Sequence, residues 1–164
     1  MRTIETRRTV PHSAAEMLAL VGDVGRYPEF VPMCEGMVIR ERKVAKDVET
    51  ILCDMTVGYQ LFRETFTSRV RVDRPGSKVL VDYLDGPFRH LENTWTFTDQ
   101  GAGACEVHFY LEYELKSLAL QLIVGSVFDK AFAKLTEAFE TRADVVYGKK
   151  KVAAKAKVAK RKLA

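Results

Sequence analysis

The sequence predicts an α+β domain in which one curved antiparallel sheet of about seven strands is closed by a long C-terminal helix. Three observations predict it. Apolar residues recur at every second position across much of Gly36 to Leu115, a capped amphipathic helix follows the first strand, and a helical pattern fills Ser117 to Gly148. A sheet with one apolar face needs a cover, and the last helix is the only element long enough to supply it.

The opening "MRTIETRRTV" alternates polar and apolar residues and reads as a first strand, without the apolar run and small-residue cleavage site of a secretory signal. In "HSAAEMLALVGDV", Ser13 is an N-cap with Glu16 three positions on, a capping box, and Met17, Leu18, Val21 and Val24 share one face. This short helix should end near Tyr27, because the residue before Pro28 is pushed out of the α region. The segment "DVGRYPEFVPMCEG" is punctuated as a loop by Pro28 and Pro32. It nevertheless carries Tyr27, Phe30, Val31 and Met33, and surface loops are ordinarily polar.

From there the period is two. "ETILCDMTVGYQ" sets Ile51, Cys53, Met55, Val57 and Tyr59 against Asp54, Thr56 and Gln60. "FRETFTSRVRVD" aligns Phe62, Phe66, Val70 and Val72 before the "RPGS" turn, and "KVLVDYLDG" and "FRHLENTWTFTD" supply two more strands. In "CEVHFYLEYEL", Cys105, Val107, Phe109, Leu111, Tyr113 and Leu115 oppose Glu106, His108, Tyr110, Glu112 and Glu114. Such strands are apolar on one face and wet on the other.

The final helix has Ser117 as its cap and Gly148 as its stop. Val124, Phe128, Ala131, Leu135, Ala138 and Phe139 form a stripe facing away from Lys130, Lys134, Glu137 and Glu140. Its first half is more apolar all round, since Leu118, Leu120, Leu122, Ile123, Val127 and Phe132 do not fit one narrow stripe.

Composition bounds the function. With 164 residues the chain is large enough for a real core, and its longest apolar stretch, "LALQLIVGSVF", is interrupted by Gln121, Gly125 and Ser126. That stretch is short of the ~20 residues a membrane helix needs. Cys34, Cys53 and Cys105 fit neither a disulfide framework nor a zinc site, and point to a reducing cytoplasm. The net charge of +4 is unevenly distributed: removing eight basic residues from Lys149 onward leaves 18 Lys and Arg against 22 acids, a body of −4. Residues 1–148 therefore form one domain and 149–164 a basic low-complexity tail. The tail reads either as a solubilising extension or as an attachment to anionic lipid or RNA.

Two segments carry a resemblance. The order in "VGDVGRYPEFVPMCEG", Val21 to Gly36, and the spacing of Phe88, Leu91, Trp95 and Phe97 in "GPFRHLENTWTF" resemble the START-like, polyketide-cyclase-like superfamily of helix-grip folds. Within it the chain looks like the branch holding coenzyme Q-binding proteins and bacterial ribosome-association toxins. The resemblance implies a cavity between sheet and long helix and a non-enzymatic carrier of coenzyme Q that supports respiration, with a prenylated quinone as ligand and no catalytic cofactor. It also implies, for the proline segment, a place over the cavity mouth, and, for the protein, work beside the inner membrane.

The ligand-binding residues expected on this basis fall into three groups. Val24, Tyr27, Phe30, Val31 and Met33 come from the first helix and proline segment. Met55, Phe66, Tyr83, Phe88, Leu91, Trp95 and Phe109 come from the strands. Val124, Val127, Phe128, Ala131 and Phe132 come from the last helix. Of these, Phe66, Phe109, Trp95 and Phe128 read more readily as plain core than as ligand contacts. A quinone carbonyl wants a hydrogen-bond donor, for which Tyr27, Tyr59, Tyr83, Asn93 and Trp95 are candidates.

Catalytic and metal patterns are weak. His12 and His108 read as surface residues, and His90 with Glu92 shares one side of a strand but lacks a third partner. The alternative function is an inhibitor of ribosomal subunit association, which suits the basic tail but not the acidic body. An aromatase or cyclase would need ionisable groups inside, which the inward faces barely supply; Glu64 is the exception, and an edge position or an arginine partner such as Arg89 accounts for it more simply.

Overall fold

The computed structural model describes residues 1–149, so that nearly all of the basic tail, 150–164, lies outside the described residues. The elements run β1 (Arg2–Val10), α1 (Ala14–Gly22), a 3-10 helix (Val24–Glu29), β2 (Cys34–Ala45), β3 (Val48–Tyr59), β4 (Phe62–Asp73) and β5 (Lys78–Asp85). They continue with β6 (Phe88–Asp99), β7 (Cys105–Leu115), α2 (Leu118–Ala133) and α3 (Leu135–Tyr147). All neighbouring strands are antiparallel, in the order β1-β7-β6-β5-β4-β3-β2. This is the α+β sheet expected from the period-two pattern, and the strand bounds follow that pattern closely.

The apolar side of the sheet is the core. In β7 every odd residue from Cys105 to Leu115 is buried and every even one is half-exposed. The wet face carries polar contacts such as the His108–Glu5 hydrogen bond at 2.6 Å and the Arg40–Asp54 ion pair at 2.6 Å. The capping box forms as written: Ser13 Oγ accepts from Glu16 N–H at 3.1 Å and Glu16 Oε1 accepts from Ser13 N–H at 2.9 Å.

Three local expectations change. The first helix ends at Gly22 rather than near Tyr27, and the chain tightens into the 3-10 helix, which accommodates Pro28. Gly22 lies so close to β4 that a Cβ there would stand 2.9 Å from Val72 Cγ1. The single helix expected from Ser117 to Gly148 is two, parted at Lys134. No proline or glycine stands at the break, but the two pieces face different partners. Phe132 meets Tyr113 of β7 edge-on at 5.0 Å, whereas Phe139 meets Trp95 at 4.9 Å and Tyr27 at 5.3 Å. Finally, His12 is not a surface residue but fully buried, with Nε2 2.8 Å from Asp144 Oδ1, fastening the β1–α1 junction to α3.

No helix among the described residues is long and apolar enough to cross a membrane. Helix α2 is nonetheless apolar on its outside. Only Val124, Gly125 and Phe128 of its sixteen residues are buried, and Leu118, Leu122 and Ile123 are 83%, 86% and 71% exposed.

Candidate functional site

Between the sheet and the two C-terminal helices lies a cavity of about 120 Å³. By the measure in which one water needs ~10–15 Å³, this holds roughly eight to twelve water-sized spheres, the scale of one small ring. Thirteen of the expected ligand-binding residues line it. Val24, Tyr27, Val31 and Met33 come from the 3-10 helix and proline segment, and Met55, Phe66, Phe88, Leu91, Trp95 and Phe109 from the strands. Phe128, Ala131 and Phe132 come from α2 at positions i, i+3 and i+4, and Leu135 continues that spacing across the break.

Four expected residues stand elsewhere. Phe30 turns away at the end of the 3-10 helix, edge-on to Phe139 at 4.9 Å and beneath the Arg142 guanidinium at 5.0 Å. Tyr83 sits behind the wall, its ring 5.5 Å from Phe88 and its hydroxyl accepting the Phe88 N–H at 3.0 Å. Val124 lies one turn before Phe128 and is buried in the core without reaching the cavity. Val127 is half-buried, about 100° around the helix from Phe128.

The wall also contains residues that the sequence did not single out for it, including Pro32, Cys53, Val70, Leu111 and Phe139. Most follow from strand parity, since inward positions two apart in β3, β4 and β7 share the same face. Ser68 is the informative one. It falls between Phe66 and Val70 on the inward face of β4 and is 5% exposed, and its hydroxyl has no hydrogen-bond partner.

The other polar side chains of the wall each bond a protein partner. Tyr27 Oη donates to the Val21 carbonyl, Trp95 Nε1 donates to Asn93 Oδ1 at 3.1 Å, and Asn93 Nδ2 donates to the Tyr110 carbonyl at 2.9 Å. Tyr59 is exposed at the end of β3. The Cys53 thiol in the wall is pushed up to about 11 by burial, which keeps it protonated at neutral pH. Cys34 is likewise raised to about 11 by burial; its neighbour Glu35 is held by Arg63 at 2.6 Å.

Among the described residues no Asp, Glu, Lys, Arg or His lines the cavity. Glu64 is not in its wall, and Arg89 bonds Glu114 at 3.3 Å and the Lys116 carbonyl at 3.0 Å instead. His90 joins Glu112 at 2.9 Å, and Glu112 also accepts from the Tyr110 hydroxyl; both donors hold that carboxyl below its usual range. Tyr110 and Glu112 belong to the wet face of β7, away from the cavity.

The proline segment is fastened to the sheet. Met33 adopts a left-handed φ of 67°, uncommon outside glycine, and its carbonyl accepts the Gly58 N–H at 3.0 Å. Helix α2 is pinned by Asp129, which accepts from both the buried Tyr113 hydroxyl and the Arg2 guanidinium.

A family model described as polyketide cyclase/dehydrase and lipid transport matches residues 10–140. The chain belongs to that family. This member is 34% identical over 148 residues to the ribosome association toxin RatA of Vibrio cholerae, covering 90% of this chain and 99% of that protein. It is 30% identical over 144 residues to the mitochondrial coenzyme Q-binding protein COQ10 homolog B of Xenopus laevis, covering 85% of this chain and 57% of that protein. Among solved structures, the 18 kDa protein of Caulobacter crescentus is 35% identical with a TM-score of 0.72, over 90% of this chain and 99% of that one. Both groups anticipated from Val21–Gly36 and Gly86–Phe97 are thus relatives of this family member.

Proposed function

We propose that the protein binds a prenylated quinone and carries it without chemical change, delivering it at a membrane surface. The observation that carries this reading is the apolar cavity, whose wall holds no Asp, Glu, Lys, Arg or His among the described residues. Burial of isoprenoid carbon there is favourable by about 0.8 kcal/mol per CH₂, so no charged partner is required. The relative named for coenzyme Q binding supports the ligand class. The half-exposed wall residues Pro32, Met33, Phe132 and Leu135 are the proposed gate, and the exposed Leu118, Leu122 and Ile123 of α2 are the proposed lipid contact. Organic extraction and mass spectrometry of full-length protein purified from its own cell tests the reading. A stoichiometric prenylquinone supports it; protein that neither retains nor takes up one from loaded vesicles refutes it.

A second reading, association with the ribosome, is favoured by the Vibrio cholerae relative, which is matched over nearly its whole length. Salt-sensitive cosedimentation with the large subunit, lost on deleting residues 149–164, would establish it. No cosedimentation at low salt would remove it.

A further inference from the structure

Depth along the sheet can be read from strand register. On β4 the inward positions run Phe66, Ser68, Val70 and Val72, paired with β3 at Met55, Cys53, Ile51 and Glu49. The proline segment is fastened at the other end of β3, where Cys34 faces Val57 and Met33 holds Gly58. Phe66, Ser68 and Val70 line the cavity and Val72 does not, so Ser68 lies in its inner half. The β4–β5 pairing slips between Thr67 and Ser68, where Leu84 is passed over. Such bulges re-aim a side chain.

The candidates for meeting a carbonyl are thereby narrowed. Tyr27 and Trp95 donate to protein oxygens, Asn93 has one amide hydrogen left, and Tyr83 is behind the wall. The Ser68 hydroxyl is buried and unpartnered, on a residue only 5% exposed, and that residue lines a hollow whose other polar side chains, Tyr27, Asn93 and Trp95, already donate to protein oxygens. Buried hydroxyls are ordinarily satisfied, and one that is not points to a missing partner.

We propose that Ser68 is the polar anchor of the cavity, donating a hydrogen bond to a carbonyl oxygen of the ligand's ring. The inference rests on the carrier reading and adds an orientation. The ligand enters head first, the ring resting against Ser68 and the isoprenoid chain trailing past Met33 and Phe132. The cavity volume fits this polarity, since it takes a ring but not a ring together with a long chain. The ligand class is a ring ketone on an apolar chain, in preference to a plain hydrocarbon or a charged lipid.

Trp95 is the sole tryptophan and lines the cavity, so its fluorescence reports occupancy. The full chain is titrated with a benzoquinone bearing two isoprene units and, separately, with an isoprenoid hydrocarbon lacking the ring. Ser68→Ala is expected to bind the quinone about tenfold more weakly, to bind the hydrocarbon as wild type does, and to keep or raise the melting temperature. Ser68→Thr and Ser68→Val, alike in shape and different in the hydroxyl, should show the same separation if the alanine variant misfolds. Quinone affinity within twofold across hydroxyl and non-hydroxyl variants overturns the anchor and leaves the carrier reading standing. An equal loss for the hydrocarbon overturns it too, by exposing a steric effect. Saturable quenching by neither probe in wild type overturns the carrier reading and the anchor together.

Discussion

Filling the cavity should stabilise the protein while abolishing the proposed quinone binding, and Ala131→Leu is the substitution that separates the two. Ala131 lies on α2 in the cavity wall, and leucine is nearly as good a helix former as alanine, so the backbone is not perturbed. An empty cavity of about 120 Å³, at ~24 cal/mol per Å³, costs about 3 kcal/mol. Leucine adds three carbons to that space, worth ~2.4 kcal/mol at 0.8 each, less ~0.5–1 kcal/mol for ordering the side chain. The net gain is ~1–2 kcal/mol, or a rise in melting temperature of roughly 3–6 °C for a chain of this size. Thermal unfolding of ligand-free protein and quinone titration of Trp95 fluorescence read the two effects. A lower melting temperature would show that the space is already filled. Unchanged quinone affinity would show that the ligand goes elsewhere.

Three other outcomes follow from the packing. Asp129→Ala leaves the buried Tyr113 hydroxyl without its acceptor and should cost ~1–3 kcal/mol in urea unfolding, with faster amide exchange in α2, whereas Asp129→Asn should retain most of the stability. Equal stability of the two variants, or no change in α2, would remove the pin. Val31→Asp places a carboxylate in the dry wall and should abolish quinone binding, whereas Phe30→Asp, outside the wall and beside Arg142, should leave affinity within threefold; matching losses would contradict the placement of Phe30. Burial raises the thiols of Cys34 and Cys53 to about 11 and Cys105 to about 12. The unfolded chain releases these protons near pH 8.5 and the folded chain retains them, so stability should fall as pH rises from about 9 toward 11. Unfolding midpoints that stay level between pH 8 and 10.5 would refute this contribution.

Much of this architecture is legible in the sequence because water faces one side of each strand. The alternation from Cys105 to Leu115 specifies a register that a one-residue slip would invert, and Ser13 with Glu16 marks a helix start by local chemistry alone. The break at Lys134 is illegible for the opposite reason. Its local sequence is a good helix, and only the separate surfaces met by Phe132 and Phe139 explain two pieces. Phe30 and Val31 are adjacent, apolar and alike on paper, and the side each takes depends on where a 3-10 helix stops. Ser68 was visible by parity, two places from Phe66 and two from Val70, yet the polar type of the residue obscured its inward position.

The pairing of β1 with β7 sets an order on how such a molecule is made. Arg2 lies opposite Tyr113 and Val10 opposite Cys105, so partners in the ladder are about 100 residues apart in the chain. At ~5–20 residues per second, a nascent chain waits on the order of 5–20 seconds for the partner of its first strand. During that interval the hairpins from β2 to β6 can zip in sequence while the amino-terminal edge stays unmatched. The cavity therefore has no finished floor or roof until the last third of the polypeptide has left the exit tunnel, and uptake of the proposed ligand would follow translation.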